Sequence, residues 1–288
     1  MDLNGDGNTD ILSGSYLVRD QHEAGLFHVL YGKPSGGFQK AQVLNGADGQ
    51  PLILPTDDTE DSDASLAKTC TRPFACDLDG DGKLDLVAGN FRGTFGFFKG
   101  IGEGRFSPQA TWLQSGAKSM QVAMHSDPFL IDWDGDGDLD LLSGSASGGA
   151  FLFDNAGSKT SPKFGERQTL LKPSGSSSAF PTNPKWGNSH IRGPQSNTRV
   201  WSSDVDGDGK LDLLIGDQAT IQYPADGLDE QTANEKLQAW NEKLQASMES
   251  AGEGRAILFG KAVDDLMKER EQFMTENMTG FVWLLRRK

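Results

Sequence analysis

The sequence predicts an all-β chain, a β-propeller of four-stranded antiparallel blades with an αα-hairpin inserted in the last one. Three observations lead there. A nine-residue segment rich in aspartate and glycine recurs four times. Each copy sits in the same order of short β-branched and aromatic runs. The one stretch with helical periodicity interrupts only the final unit. A four-stranded antiparallel sheet cannot bury both faces by itself, and stacking such sheets around an axis solves that problem.

The four segments align without gaps: Asp2 to Asp10, Asp77 to Asp85, Asp132 to Asp140 and Asp204 to Asp212, with starts 75, 55 and 72 residues apart. Apolar pairs precede three of them, Pro73-Phe74, Pro128-Phe129 and Val200-Trp201. After each copy comes a short apolar run ending in glycine, at Gly14, Gly89, Gly144 and Gly216. A second apolar run comes next, at Gly25–Tyr31, Gly93–Phe98, Gly149–Phe153 and, much later, Gly280–Leu285. The first three units add Phe38–Leu44, Phe106–Leu113 and Phe164–Leu171. Runs of this length between Gly and Asp clusters read as strands, so one unit is strand A, acidic loop, strand B, strand C, strand D. The units cover about 1–44, 71–113, 126–171 and 198–288 of a single domain.

The acidic loop reads Asp-x-Asp/Asn-x-Asp-Gly-x-x-Asp. Calcium takes six to eight oxygens, and positions 1, 3, 5 and 9 supply side-chain oxygens from one tight curl. The glycine at position 6 allows the positive φ that turns the chain back, and position 7 offers its carbonyl. The candidate ligands are Asp2, Asn4, Asp6, Asn8 and Asp10; Asp77, Asp79, Asp81, Lys83 and Asp85; Asp132, Asp134, Asp136, Asp138 and Asp140; and Asp204, Asp206, Asp208, Lys210 and Asp212. Asn8, Lys83, Asp138 and Lys210 act through the backbone, and the Asp138 side chain is expected to face solvent. An EF-hand would need a glutamate at position 12 and a helix after it. Position 12 is Ser13, Ala88, Ser143 or Ile215, and the residues around and after it are strand-like. Four structural calcium sites are therefore expected, each fastening an A–B hairpin.

The formal charge of -14 fits this reading, because 16 of the 41 acidic residues lie in the four loops. So acidic a chain is ill suited to holding a nucleic-acid backbone, and no stretch reaches the ~20 apolar residues of a membrane helix. The four histidines are scattered without zinc-ligand spacing, and there is no Gly-x-Ser-x-Gly elbow. No catalytic residue or organic cofactor is assigned. Cys70 and Cys76 could pair in an exported protein or stay as free thiols.

These residues resemble the FG-GAP/VCBS repeat family, the propeller repeat of integrin α-chain heads and of many bacterial secreted proteins. The resemblance covers about residues 1–223 and 279–288. It rests on the four loops, the glycine after strand B and the aromatic strand C. It implies calcium as the ion and the A–B hairpin as its place, at Asp2, Asn4, Asp6 and Asp10 and their counterparts in the other units. The family includes adhesion modules, carbohydrate binders and some polysaccharide lyases. The expectation is a secreted, periplasmic or cell-surface binding module of adhesion type, with a polysaccharide lyase as the enzymatic alternative.

Both ends depart from the pattern: unit 1 lacks strand A, and unit 4 lacks strand D. The expectation is a fragment with an upstream strand and an export signal missing before Met1, or ragged ends that complete one another or a second molecule. Residues 228–278 break the β pattern. Leu237, Trp240, Leu244 and Met248 share one helical face, as do Phe259, Val263, Leu266 and Phe273, with Ala251–Gly254 between them. Antiparallel parity places the A–B and C–D turns on one end of the propeller. The B–C and D–A connections then share the other end with every long segment: Ser15–Ala24, Asn45–Arg72 with its acidic run Asp57–Asp63, Lys172–Arg199 and the helical hairpin. A protein or polysaccharide partner is expected there, with Trp186, His190 and Arg192 as residues to test.

Overall fold

A computed structural model describes residues 1–16, 25–55, 67–174, 185–250 and 261–288. The first blade has β1 (Ile11–Ser13), β2 (His28–Leu30) and β3 (Gln42–Val43), in that order. The second has β4 (Arg72–Cys76), β5 (Asp85–Gly89), β6 (Phe95–Gly102) and β7 (Arg105–Trp112). A small hairpin, β8 (Gln114–Ser115) and β9 (Lys118–Ser119), leads to the third blade. That blade has β10 (Asp127–Ile131), β11 (Asp140–Gly144), β12 (Ala150–Phe153) and β13 (Gln168–Leu171). The fourth contains β14 (Ser196–Ser203), β15 (Asp212–Pro224), α1 (Glu230–Ser250), α2 (Lys261–Arg270), β16 (Met274–Thr279) and β17 (Val282–Leu285). The four antiparallel sheets follow one another as the blades of a propeller.

Strand alternation explains the stacking. In the second blade Phe74, Val87 and Phe97 lie side by side across β4, β5 and β6, and Ala75, Leu86 and Phe98 occupy the other face. The first set packs against Leu130, Leu141, Phe151 and Phe153 of the third blade. The second packs against Val29 and Leu44 of the first blade. The third blade repeats this, giving Leu142 and Leu152 to a core shared with Val200, Leu213 and Ile215 of the fourth. These sheets bury both faces, which is why β5, β11 and β12 are buried at every position. Among the described residues the seam between the fourth and first blades has no such core. Trp201 and Leu284 of the fourth blade are 53% and 43% exposed, and Ile11 of the first is 44% exposed.

The glycine after strand B has a steric cause. A Cβ on Gly14, Gly89 or Gly144 would lie 1.8, 2.2 or 2.1 Å from the backbone oxygen of Thr71, Ser126 or Thr198 in the next blade. The residue after the glycine donates its N–H to that same neighbour's hydroxyl: Ser15 to Thr71, Asn90 to Ser126 and Ser145 to Thr198, at 2.8–3.0 Å. At Gly216 the nearest atom to such a Cβ is 3.9 Å away, in keeping with the open seam.

The region expected to be wholly helical over 228–278 differs. β15 runs on past the blade and pairs with β16 from Ala219↔Thr279 to Pro224↔Met274. Residues 274–279 are therefore strand, because the long-range partner on β15 satisfies their backbone, a pairing that local periodicity cannot reveal. Phe273 lies between α2 and β16 rather than on a helix. Asp229 caps α1 by accepting the Thr232 N–H at 2.7 Å. Ala233, Leu237, Trp240 and Leu244 form a separate core with Trp186, Phe273 and Met274. Phe259 and the side chains of Met248 and Val263 lie outside the described residues, as do Ala251–Gly254, Asp57–Asp63 and parts of the other long loops. Trp240 is 1% exposed and donates its ring N–H to the Leu266 carbonyl at 2.6 Å. Trp240→Ala is expected to remove about 3–5 kcal/mol from this core. Because the core shares no member with the inter-blade cores, hydrogen exchange should accelerate in α1 and α2 while β5 and β11 stay protected.

Trp186 is a second correction. Buried at 9% exposure, it donates its indole N–H to Asn234 Oδ1 at 3.1 Å and anchors its loop to α1. A tryptophan needs apolar cover, and here α1 supplies it, so Trp186 is not a ligand-facing side chain. Arg192 is exposed and His190 half-buried.

Candidate metal centres in the acidic loops

Each acidic segment leads into strand B as a curl held by its own aspartates, and in the second, third and fourth blades it links strand A to strand B. In the first, Asp2 accepts the Gly5, Asp6 and Gly7 N–H groups at 2.8, 3.1 and 2.8 Å. Asp132 takes Gly135 and Gly137, and Asp204 takes Gly207, Asp208 and Gly209. Both loop glycines, at positions 4 and 6, have positive φ, for example 84° and 97° at Gly135 and Gly137. The sequence pattern points to that need only at position 6.

The position 9 aspartates have a task that the sequence pattern does not show. One oxygen of Asp10, Asp85, Asp140 and Asp212 accepts the N–H of Leu3, Leu78, Trp133 and Val205, at 2.8–3.2 Å. The other accepts an N–H at the end of strand C, from Gly32, Gly100, Asn155 and Arg287, at 2.6–2.9 Å. All four aspartates are at most 4% exposed. They fasten the loop to the sheet whether or not an ion is bound.

Carboxylate oxygens gather within 4.8 Å of one another at Asp77, Asp79 and Asp85, at Asp132, Asp134 and Asp136, and at Asp204, Asp206 and Asp212. These clusters could hold a metal ion. In the first blade Asn4 takes one of the places, and Asp2, Asn4 and Asp6 are joined by hydrogen bonds. Among the described residues, two buried oxygens, Asp77 Oδ1 and Asp138 Oδ1, have no hydrogen-bond partner. A buried anionic oxygen without a partner is costly, and the donor set is all oxygen, so the residues fit a hard divalent cation.

Asp138 departs from expectation. Its side chain was expected to face solvent, yet it is 5% exposed. The curl ties its backbone N–H to Asp136 Oδ1 at 3.1 Å, and its own Oδ1 is enclosed. Burial raises its pKa, and Asp136, Asp140, Asp134 and Asp132 push it further up. Burial likewise raises Asp85 and Asp140.

The second loop differs from the rest. Lys99 Nζ, on β6, lies 2.6 and 2.5 Å from the two Asp79 oxygens, 2.8 Å from Asp81 and 3.6 Å from Asp85. Burial works against its charge, but the hydrogen bonds to Asp79 and Asp81 prevail and its pKa is raised. In the fourth loop Arg286 reaches Asp206 at 3.5 Å from a largely exposed position.

At the other end of the innermost strands, Asp127 stands between Arg72 and Arg199, with closest approaches of 3.9 and 3.5 Å. This ion ladder ties together the second, third and fourth blades. Cys70 and Cys76 are both free thiols, and burial raises the Cys76 pKa well above the usual thiol range, with Asp85 and Asp77 adding to it.

No helix of the described residues is long and apolar enough to cross a membrane. No curated protein matches the chain. Residues 77–143 match the family model of the FG-GAP-like repeat, a span that runs from the second acidic loop through the third and into β11. The chain is a four-bladed β-propeller that carries an FG-GAP-like repeat.

Proposed function

We propose that this propeller is a calcium-stabilised binding module of adhesion type that works outside the cytoplasm. The observation that carries the reading is the recurrence of oxygen-only carboxylate clusters in the A–B hairpins, with a buried oxygen of Asp138 left without a hydrogen-bond partner among the described residues. Calcium would be held by Asp2, Asn4 and Asp6 in the first loop, Asp132, Asp134 and Asp136 in the third, and Asp204, Asp206 and Asp212 in the fourth. The ion supplies charge neutralisation and a cross-link within the hairpin. Millimolar extracellular calcium suits sites of this kind, whose dissociation constants in extracellular modules are about 0.1–1 mM.

The ligand, a protein or a polysaccharide, is taken on the end opposite the loops. The Trp186 loop, the β15–β16 ribbon and the two helices pack together there, and the reading assigns them recognition rather than chemistry. Binding of the calcium-loaded protein to panels of extracellular proteins and acidic polysaccharides tests this. Saturable binding without chain shortening supports a binding module. Release of unsaturated sugar ends from a bound polysaccharide would replace it with a lyase.

A further inference from the structure

The four strand C ends are equivalent by hydrogen bonding. Gly32, Gly100, Asn155 and Arg287 each donate an N–H to the position 9 aspartate of their own blade. The residues just before them, Tyr31, Lys99, Asp154 and Arg286, therefore occupy one structural position beside the four loops. Chemically they have nothing in common: a phenol, an ammonium, a carboxylate and a guanidinium.

Lys99 is the member whose reach is fully used. Its ammonium has three donors and places them among Asp79, Asp81 and Asp85, at positions 3, 5 and 9 of the loop. Lys83 adds a second cation, 3.5 Å from Asp81. The loop's four aspartates thus meet two lysines, and among the described residues only Asp77 Oδ1 of its buried oxygens is left without a partner. The third loop is the opposite case. Five aspartates stand together, Asp154 adds a sixth carboxylate, and among the described residues none of the five forms an ion pair. An ammonium and a divalent ion cannot both draw on the same carboxylates at contact distance, because two cations that close repel as strongly as each attracts the anions.

We propose that Lys99 is the built-in cation of the second loop, so that this hairpin is closed by the chain's own ammonium and takes no calcium at physiological concentration. The residue at the Tyr31/Lys99/Asp154/Arg286 position then grades the loops, with the third binding calcium most tightly, the first next, the fourth more weakly and the second not at all. Arg286 weakens its loop less than Lys99 does, since it is 63% exposed and touches a single aspartate. The proposal rests on the calcium reading of the other loops.

The test is a calcium titration by calorimetry and by melting, on the wild-type protein and on Lys99→Met. The wild type should bind calcium with at least one site fewer than the number of loops. Lys99→Met should gain one ion per chain, with its new site at least about tenfold tighter than any the wild type shows in that loop. In chelator the variant should melt below the wild type, since Asp79, Asp81 and Asp85 have lost the Lys99 ammonium, and calcium should restore it. A variant that gains no ion overturns the proposal, as does a variant that melts like the wild type in chelator. Asp134→Ala separates the two readings. If the wild type binds calcium and Asp134→Ala loses one ion, the calcium reading stands independently of Lys99. If neither the wild type nor Lys99→Met binds any, the calcium reading itself falls.

Discussion

Removing calcium with a chelator is expected to lower the melting temperature by several degrees. An ion present at ten times its dissociation constant stabilises the folded state by about 1.4 kcal/mol per site. Three occupied loops, the second being excluded, give about 4 kcal/mol. For a chain of this size each kcal/mol moves the midpoint by roughly 2 °C, so a shift of about 8 °C is expected. Mutual repulsion adds to this in the third loop, where burial and four neighbouring carboxylates already raise Asp138. Differential scanning calorimetry at 1–10 mM calcium, about ten times the ~0.1–1 mM dissociation constants of extracellular modules, and in excess chelator measures the shift. Identical midpoints would eliminate a structural ion. Magnesium should substitute poorly, since it prefers a smaller octahedral shell with retained water.

Asp140→Ala is expected to be the most damaging substitution in a loop, by about 4 kcal/mol, because two buried N–H groups each lose an anionic acceptor. These are the Trp133 and Asn155 N–H groups, at 2.9 and 2.7 Å. Asp140 is 2% exposed, so water cannot replace it freely. Asp134→Ala should behave differently, since among the described residues Asp134 accepts only the exposed Asp136 N–H, at 3.1 Å. Chemical denaturation with and without chelator separates the two roles. The cost of Asp140→Ala should persist in chelator, whereas the cost of Asp134→Ala should shrink to about 1 kcal/mol or less. Equal, calcium-dependent losses for both would mean that Asp140 acts only as a ligand.

Much of this fold is legible in the sequence because the repeat unit is itself a local object. Strand A, loop and strand B lie within about twenty residues, and their side-chain alternation shows in pairs such as Pro128-Phe129 and Leu141-Leu142. The acidic loop is equally legible, since all its side-chain oxygens come from nine consecutive residues. What escaped was non-local. Residues 274–278 read as a continuation of the helical region because their strand partner on β15, within Ala219–Pro224, is some fifty residues away. Trp186 read as a candidate contact for a partner because nothing near it in the chain announces that α1 covers it. Asp138 sits at a position where only the backbone was expected to matter, and its burial comes from the folded environment of the third blade.

The sequence by itself determined the strand order, the four curls and the identity of the oxygens that face one another in them, because hydrophobic alternation and Asp/Gly turn chemistry act over a few residues. Only the tertiary structure decided what surrounds those oxygens. Lys99 lies 14 residues after Asp85 in the chain, yet its ammonium reaches the second loop because β6 runs back alongside β5. Gly89 is required because Ser126 of the next blade approaches within contact distance. The open seam comes from stacking as well. Whether Trp201 is core or surface depends on a neighbouring sheet, and the chain's local pattern is the same in either case.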